Sequence, residues 1–210
     1  MDMNVKEAYN LWASQYDTNN NRTRDLEAAA LRKCLQDVQF FKCLEIGCGT
    51  GKNTEWLVLR ASEITAVDLS DEMLARAREK VDTDKVRFIQ ADITKEWSFV
   101  QQPYDLITFS LVLEHIEDLA DIFKKAGKAA KSKGLVYIGE LHPFKQYTGT
   151  KARFETAGGQ QVVPCFTHNI SDFTGAAQEN DFEILDIAEY FDDNDRTGIP
   201  RIITLLLRKK

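Results

Sequence analysis

Short apolar runs alternate with helical patterns through the middle of the chain. The runs that indicate strands are 43–47, 64–69, 86–92, 105–111 and 135–141. Most of them are rich in β-branched residues, which is typical of strands buried on both faces of a sheet. Because helical segments separate successive runs, we predict a mainly parallel sheet with helices on both faces.

Two of the intervening segments carry clear helix signals. Ser70 is a typical N-cap residue, and the two acids that follow it suit the first turn of a helix. Segment 118–131 has apolar residues at helical spacing and lysines towards its end, and we expect Gly134 to stop this helix.

The last part of the chain has a different pattern. Ser171 is the expected cap of a helix that runs to Asn180. The segments 182–191 and 202–208 then indicate two strands joined by a polar turn. We therefore predict an α/β fold, a doubly wound seven-stranded sheet that is mostly parallel and has an antiparallel last strand.

Two regions lie outside this sheet. Residues 1–40 predict two helices that carry several aromatic residues, and residues 143–170 form an insert after the fifth strand. No linker divides the chain, so we predict one domain over 1–210. In this interpretation the N-terminal helices form a cap and the insert is a lid over a substrate.

Composition narrows the function. Hydrophobic residues make up 43% of the chain, and the formal net charge of -6 gives no general attraction to nucleic acid. No apolar stretch is long enough for a membrane span. The four cysteines include no CxxC pair, so we expect no structural zinc, free thiols and a reduced, cytoplasmic setting.

A glycine-rich loop follows the first predicted strand, in the stretch LEIGCGTGKNT. A P-loop would need a serine or threonine after Lys52, where the chain has Asn53. A dinucleotide fingerprint would need its third glycine at Lys52, but that glycine arrives one residue early, at Gly51. The loop therefore matches neither phosphate-binding pattern.

The pattern present is acid-x-Gly-x-Gly-x-Gly, with Glu45 as the acid. It resembles the loop of the class I S-adenosylmethionine-dependent methyltransferases, which have a Rossmann-like fold. In that family the loop packs against the methionine and ribose parts of the cofactor. Further along, Asp68 ends the second strand, where an acid can accept the ribose hydroxyls, and the resemblance implies that Asp92 lies beside the adenine amino group.

The segment YDLITFSLVLEHIED resembles the family's segment at the methionine end of the cofactor. The resemblance implies S-adenosylmethionine as cofactor, with contacts from Glu45, Gly47, Cys48, Gly49, Gly51, Asp68, Leu69, Asp92, Ile93, Ser110, Leu111 and Tyr16. Two alternatives stay open at this point. Asp68 and Asp92 could be turn or cap residues, and an acid at position 68 would also suit a nicotinamide-dependent oxidoreductase.

Two classes of methyl acceptor can be excluded by the absence of their sequence motifs from the expected positions. The DNA amino-methyltransferase motif, [DN]-P-P-[YF], is absent after the fourth strand. Cys165 follows Pro164 as in base C5-methyltransferases, but it lies after the fifth strand, so we interpret it as a packed thiol. The chain instead looks like the subgroup of methyltransferases, type 11/25-like, that acts on small molecules.

Polar residues after the fifth strand are the candidates for acceptor contact. His142 is the predicted catalytic residue, as a group that contacts or deprotonates the acceptor, although it could simply be a hydrogen-bonded histidine at a strand end. The other candidate substrate contacts are Tyr147, Arg153, His168 and His115, with a structural role as the alternative for His115. Tyr9, Trp12 and Tyr16 have the spacing of an amphipathic helix, and Tyr16 could also close over the cofactor.

The predicted reaction is an in-line displacement that moves a methyl group to oxygen, nitrogen or carbon. Alignment and exclusion of water can supply much of the acceleration, so a catalytic dyad is not required. The alternatives are a protein that binds the cofactor without chemistry or regulates a partner, and a methyltransferase acting on a protein or RNA.

Overall fold

The computed structural model describes residues 3–156 and 158–210. Its main feature is a seven-stranded sheet in the spatial order β3-β2-β1-β4-β5-β9-β8. The strands of this sheet are β1 (Lys42–Ile46), β2 (Glu63–Asp68), β3 (Val86–Gln90), β4 (Tyr104–Ser110), β5 (Ala130–Leu141), β8 (Phe182–Tyr190) and β9 (Ile202–Lys209). The last strand, β9, pairs antiparallel with both β5 and β8, whereas β1 to β5 pair in parallel. The predicted sheet and its antiparallel last strand are confirmed.

Helices cover both faces of the sheet. They are α1 (Val5–Trp12), α2 (Arg22–Leu35), α3 (Thr54–Leu57), α4 (Asp71–Lys80), α5 (Leu119–Ala129), α6 (Pro143–Tyr147) and α7 (Ile170–Glu179). Helices α2, α3 and α4 contribute to the buried cluster on one face, and α5 and α7 to the cluster on the other. Neighbouring strand residues alternate between the two clusters, as Cys43 and Leu44 do.

Two predicted helix boundaries were wrong. Helix α5 ends at Ala129, and Gly134 lies inside β5 rather than after the helix. The pairing of β4 with β5 shifts between Tyr104 and Leu106, and a Cβ at Gly134 would stand 3.0 Å from the Tyr104 carbonyl oxygen. Close backbone approach at an irregular strand pairing, not a helix end, therefore explains this glycine.

The second error concerns the start of α7. The helix begins at Ile170, so Ser171 is inside it and Asn169 is the N-cap. The Asn169 N–H donates to the Asp172 carboxylate at 2.7 Å, which satisfies a backbone donor at the helix start.

The two regions outside the sheet pack against each other. Residues 153–162 of the insert contain a hairpin, β6 (Arg153–Thr156) and β7 (Gly159–Val162), that the sequence did not predict. Phe154 of β6 is buried and stacks on Trp12 of α1, with ring centroids 5.2 Å apart. Met73 of α4 joins this cluster, which ties both regions to the domain. Within the described ranges, no helix combines the length and the hydrophobicity that crossing a bilayer requires.

Asp105, near the start of β4, links three segments. One carboxylate oxygen accepts the backbone N–H groups of Phe41 and Lys42, at 3.1 and 2.8 Å, and the other pairs with Lys131 at 2.5 Å. Partial burial acts to raise the pKa of Asp105, but the Lys131 ammonium and the two backbone donors outweigh it, and the pKa lies below its ordinary value.

We expect Asp105→Asn to lower the free energy of unfolding by about 1–2 kcal/mol near neutral pH, because the charged pair and charge-assisted hydrogen bonds are lost. The folded pKa lies below the unfolded one, so this stabilisation exists above the unfolded pKa and disappears as pH falls through the folded pKa. Urea unfolding of both proteins at a series of decreasing pH values measures it. A difference that stays constant down to acidic pH would contradict the assignment.

Candidate functional site

The glycine-rich loop folds back over β2 as soon as β1 ends. The N–H groups of Gly47 and Cys48 both donate to the Val67 carbonyl, at 2.8 and 3.0 Å. Gly47 has φ of +73°, and a Cβ there would stand 2.8 Å from the Val112 side chain. The loop is therefore in contact with the segment that follows β4, and only glycine fits at position 47 without displacement.

A cavity of about 450 Å³, the first cavity, opens at the carboxyl ends of β1, β2 and β4. Because β1 lies between β2 and β4, the strand order reverses there, and open α/β sheets bind ligands at such a point. The cavity lining includes most of the predicted cofactor contacts: Tyr16, Gly47, Gly49, Asp68, Leu69, Asp92, Ile93, Ser110 and Leu111. Segment 4–9, in and just before α1, supplies part of the opposite wall.

Asp68 is held in a fixed orientation at the end of β2. Its two carboxylate oxygens accept the N–H groups of Gly49 and Ser70, at 2.8 and 2.9 Å. Burial raises the pKa of Asp68 despite these bonds. Each oxygen keeps further lone pairs, so the carboxylate can still accept donors from a ligand in the first cavity.

Asp92 lines the same cavity as Asp68. One of its oxygens accepts the Thr94 N–H at 2.9 Å and the Thr94 hydroxyl at 2.6 Å, so Asp92 also shapes the turn after β3. The two acids that the sequence placed at the ends of neighbouring strands therefore meet at one cleft. Their roles toward a cofactor stay a prediction.

Three predicted cofactor contacts lie behind the loop instead of lining the first cavity. Glu45 is buried, accepts the Thr54 hydroxyl at 2.6 Å, and has its pKa raised by burial to about 8. Cys48 is also buried, and a Cβ on Gly51 would stand 3.2 Å from Ala77 of α4. Glu45 and Cys48 line a small cavity of about 50 Å³ that shares Gly47, Gly49, Ser110 and Leu111 with the first cavity, so their role toward a cofactor stays a prediction. Gly51 packs against the fold itself.

A second cavity, of about 250 Å³, lies beside the first. Tyr9, Tyr16 and Leu111 line both cavities, so the two adjoin at these side chains. Leu111 has φ of +55°, a left-handed conformation that is strained for a leucine and is common near functional sites. The other residues lining the second cavity include Trp12, segment 19–23, Glu114, Leu141, segment 150–153 and Arg201.

Glu114 lines this second cavity, and the sequence analysis did not name it. Its side chain is buried, and its Oε2 atom has no hydrogen-bond partner in the described residues. Burial raises the pKa of this carboxyl group. The position of an acid just beyond the tip of β4 was the available signal, since strand tips of such sheets carry functional groups.

His142 does not reach either cavity, which contradicts its prediction as the residue that contacts the acceptor. Its side chain is fully buried, its Nδ1 accepts the Phe144 N–H at 3.1 Å, and its Nε2 pairs with Glu189 at 3.0 Å. Burial lowers the pKa of His142, although Glu189 acts in the opposite direction. The histidine serves as the N-cap of α6, the structural alternative considered for it.

The remaining acceptor candidates divide into two groups. His168 is buried and bonds the Ile116 carbonyl at 2.7 Å, and Tyr147 bonds Asn169 at the surface. Contrary to prediction, neither lines the first or the second cavity as the described residues form them. His115 lines the first cavity and Arg153 the second. The ring of His115 is fixed by the Tyr9 hydroxyl and the Pro164 carbonyl, each at 2.8 Å.

Cys165 lies beside His115, with 3.9 Å between its sulfur and Nδ1, but its surroundings disfavour the thiolate. Its thiol donates to the Val163 carbonyl at 3.2 Å, and burial raises its pKa to about 12. A thiol with so high a pKa is almost entirely protonated near neutral pH. This agrees with the interpretation of Cys165 as a packed thiol.

Comparisons with known proteins agree with this geometry. A family model described as a methyltransferase domain matches residues 44–138. A ubiquinone biosynthesis O-methyltransferase from Hydrogenovibrio crunogenus is 31% identical over 144 residues, covering 67% of this chain and 59% of that protein. A malonyl-(acyl-carrier protein) O-methyltransferase from Priestia megaterium is 32% identical over 168 residues, covering 78% of this chain and 56% of that protein. The chain thus spans less than two thirds of the length of these curated relatives.

A solved structure shares the fold across the whole chain. The N-methyltransferase NodS from Bradyrhizobium japonicum, in complex with S-adenosyl-L-homocysteine, has a TM-score of 0.74 and 16% sequence identity, and 99% of each chain is covered.

We expect Gly47→Ala to lower the free energy of unfolding more than Gly49→Ala does. Both positions have positive φ, so both substitutions cost about 1–2 kcal/mol in backbone strain. Only the Cβ at position 47 meets another side chain, Val112, which adds about 1–3 kcal/mol of overpacking. Urea unfolding measures the difference, and equal losses for the two variants would show that the contact with Val112 is unimportant.

Proposed function

Because this chain belongs to the class I S-adenosylmethionine-dependent methyltransferases, we propose that it transfers a methyl group from that cofactor to a small-molecule acceptor. The observation that carries this proposal is the pair of adjoining cavities. Methyl transfer needs a donor site and an acceptor site that meet, and Tyr9, Tyr16 and Leu111 lie where the two cavities adjoin. The first cavity is the proposed cofactor site and the second is the proposed acceptor site.

The first cavity suits S-adenosylmethionine. Asp68 would accept the ribose hydroxyls, Asp92 would lie beside the adenine amino group, and the backbone at Gly47 leaves room where a side chain would intrude. Glu45, Cys48 and Gly51 would act by supporting the loop. When bound, the cofactor supplies a methyl carbon attached to a positively charged sulfur, which is a good leaving group.

The protein's own contribution is alignment and exclusion of water. Aromatic side chains of the N-terminal segment form one wall of both cavities, so an acceptor is held between this wall and the tip of β4. Fixing two reactants in line can contribute about 7–11 kcal/mol to lowering the barrier. The small volume of the second cavity favours a small molecule over a protein or RNA.

Glu114 replaces His142 as the proposed proton acceptor. Glu114 lines the second cavity, and its buried Oε2 lacks a partner in the described residues. A hydroxyl or amine of an acceptor could therefore donate to this carboxylate. Both curated relatives are named O-methyltransferases, and we therefore propose oxygen as the first acceptor atom to test. A cytoplasmic location remains part of the proposal and is supported by the four free thiols.

We expect S-adenosyl-L-homocysteine to bind the purified protein in a calorimetric titration. Asp68→Asn should weaken this binding by about 1–3 kcal/mol, because the partly buried carboxylate that would receive ligand hydrogen bonds is neutralised. Asp84→Asn, at an exposed position outside both cavities, is the matched control and should have no effect. If NADH gives a binding signal in the calorimeter and S-adenosyl-L-homocysteine gives none, the result would support a nicotinamide-dependent enzyme instead.

We expect Glu114→Gln to lower kcat by about 100-fold or more, with an acceptor identified by its release of S-adenosyl-L-homocysteine in a screen of hydroxylated small molecules. Glu117→Gln, an exposed acid on the same segment, is the control. The raised pKa of Glu114 means that the active carboxylate forms as pH rises, so the wild-type rate should increase with pH above the ordinary range of a glutamate. An unchanged kcat would remove Glu114 from the reaction, whereas cofactor binding that persists with no turnover of any acceptor would favour a binding protein without chemistry.

A further inference from the structure

The second cavity is basic, although the whole chain carries a formal net charge of -6. Its lining contains four cationic side chains and one carboxylate, that of Glu114. The cations are Arg22, Lys151, Arg153 and Arg201. A concave site that concentrates one sign of charge attracts ligands of the opposite sign.

Two of these cations already have partners. Arg201 forms two bonds with the Asp192 carboxylate, at 2.5 and 2.6 Å, and Arg22 lies 3.7 Å from Asp193. Lys151 and Arg153, by contrast, form no side-chain hydrogen bond or ion pair within residues 3–156 and 158–210. Their charges are therefore available to a ligand at the mouth of the cavity.

Lys151 and Arg153 lie on a positioned piece of backbone. The Val163 N–H donates to the carbonyl of Ala152, between them, at 2.9 Å. Arg153 begins β6, and the next residue, Phe154, is buried against Trp12. The stacked pair anchors the strand, so the two cations are held beside the cavity by buried contacts of their neighbours.

The buried part of the cavity lining has different chemistry from the exposed Lys151 and Arg153. Tyr9, Trp12 and Tyr16 supply aromatic surface, and Glu114 is buried there without a partner for Oε2. A second carboxylate beside Glu114 would be opposed by like charge in a site shielded from water. An acidic ligand is therefore favoured in one orientation, with its anionic group toward Lys151 and Arg153.

We propose that the methyl acceptor carries a carboxylate or phosphate group, which Lys151 and Arg153 bind, and a separate hydroxyl or amine that faces Glu114. This inference rests on the proposed methyltransferase function and specifies its substrate class. Arginine and lysine both pair with such anions, and arginine does so with two parallel hydrogen bonds. The aromatic wall accommodates the apolar body that joins the two ends.

The first test compares acids with their neutral counterparts. Pairs such as hydroxybenzoates with hydroxybenzamides, and O-phosphoserine with serine, are incubated with S-adenosylmethionine and assayed for S-adenosyl-L-homocysteine. We expect turnover of acidic members at a kcat/KM at least about tenfold above that of the neutral members. Turnover that is equal for the two members of each pair overturns the proposal.

The second test uses variants of the two cations. The double variant Lys151→Gln/Arg153→Gln should raise KM for the acidic acceptor by about tenfold or more, while kcat and affinity for S-adenosyl-L-homocysteine stay within about twofold. The double variant Lys95→Gln/Lys124→Gln makes the same charge change at exposed positions outside both cavities and should leave KM unchanged. An unchanged KM in the first double variant means that Lys151 and Arg153 are solvated surface charges, and it overturns the proposal.

If no compound of any pair is methylated, a binding experiment tests whether the second cavity prefers acids. Saturation-transfer NMR of the same compounds is recorded on protein loaded with S-adenosyl-L-homocysteine, and we expect signals from acids that disappear in the Lys151→Gln/Arg153→Gln variant. Equal signals from acids and amides, or none from either, reject the anionic acceptor. Failure of the proposed function is distinguished separately, because it appears as absence of S-adenosyl-L-homocysteine binding in calorimetry.

Discussion

Parallel strands end at a common edge of their sheet, and the rest of this molecule depends on that constraint. The strand order reverses at β1, with β2 on one side and β4 on the other, so the chain leaves these strands in opposite directions. The gap that results is held open by the glycine loop, which reaches across to Val112 without a side chain of its own at position 47. Asp68 fixes the loop through the Gly49 N–H. The first cavity therefore results from the strand order and from the close approach of the Gly47 backbone to Val112.

The sequence predicted this part of the molecule well because its signals are local. The first four predicted strands are short apolar runs, and each run ends in a residue that lines the first cavity. Asp68 and Asp92 could be placed at one edge without knowledge of any long-range contact, since parallel strands bring their carboxyl ends together. The positions of Glu45, Cys48 and Gly51 behind the loop could not be separated from those of Gly47 and Gly49, because the direction of a tight turn depends on its packing.

Most of the second cavity could not be predicted from the sequence, because long-range contacts form it. Its walls come from the N-terminal segment and from the insert after β5, and they meet through the stacking of Trp12 on Phe154. The sequence around Trp12 and the sequence around Phe154 give no sign that the two rings are in contact. Strands β6 and β7 are too short to be distinguished from a loop by their sequence pattern. His142 was misplaced because a histidine before a proline can cap a helix as readily as it can face a ligand, and only burial and the bond to Glu189 distinguish the two. Glu114 was missed because, in the segment YDLITFSLVLEHIED, the sequence analysis considered the neighbouring His115 as the candidate substrate contact.

The wall that the two cavities share has a consequence for the order in which ligands can enter and leave. Tyr9 and Tyr16 cover both cavities, and the Tyr9 hydroxyl is bonded to His115 at the junction. Displacement of this one segment would expose both cavities together. In the proposed function, the spent cofactor and the methylated product would therefore leave by the same route. The proposed catalytic cycle would then be limited by the opening of the N-terminal segment whenever that opening is slower than methyl transfer.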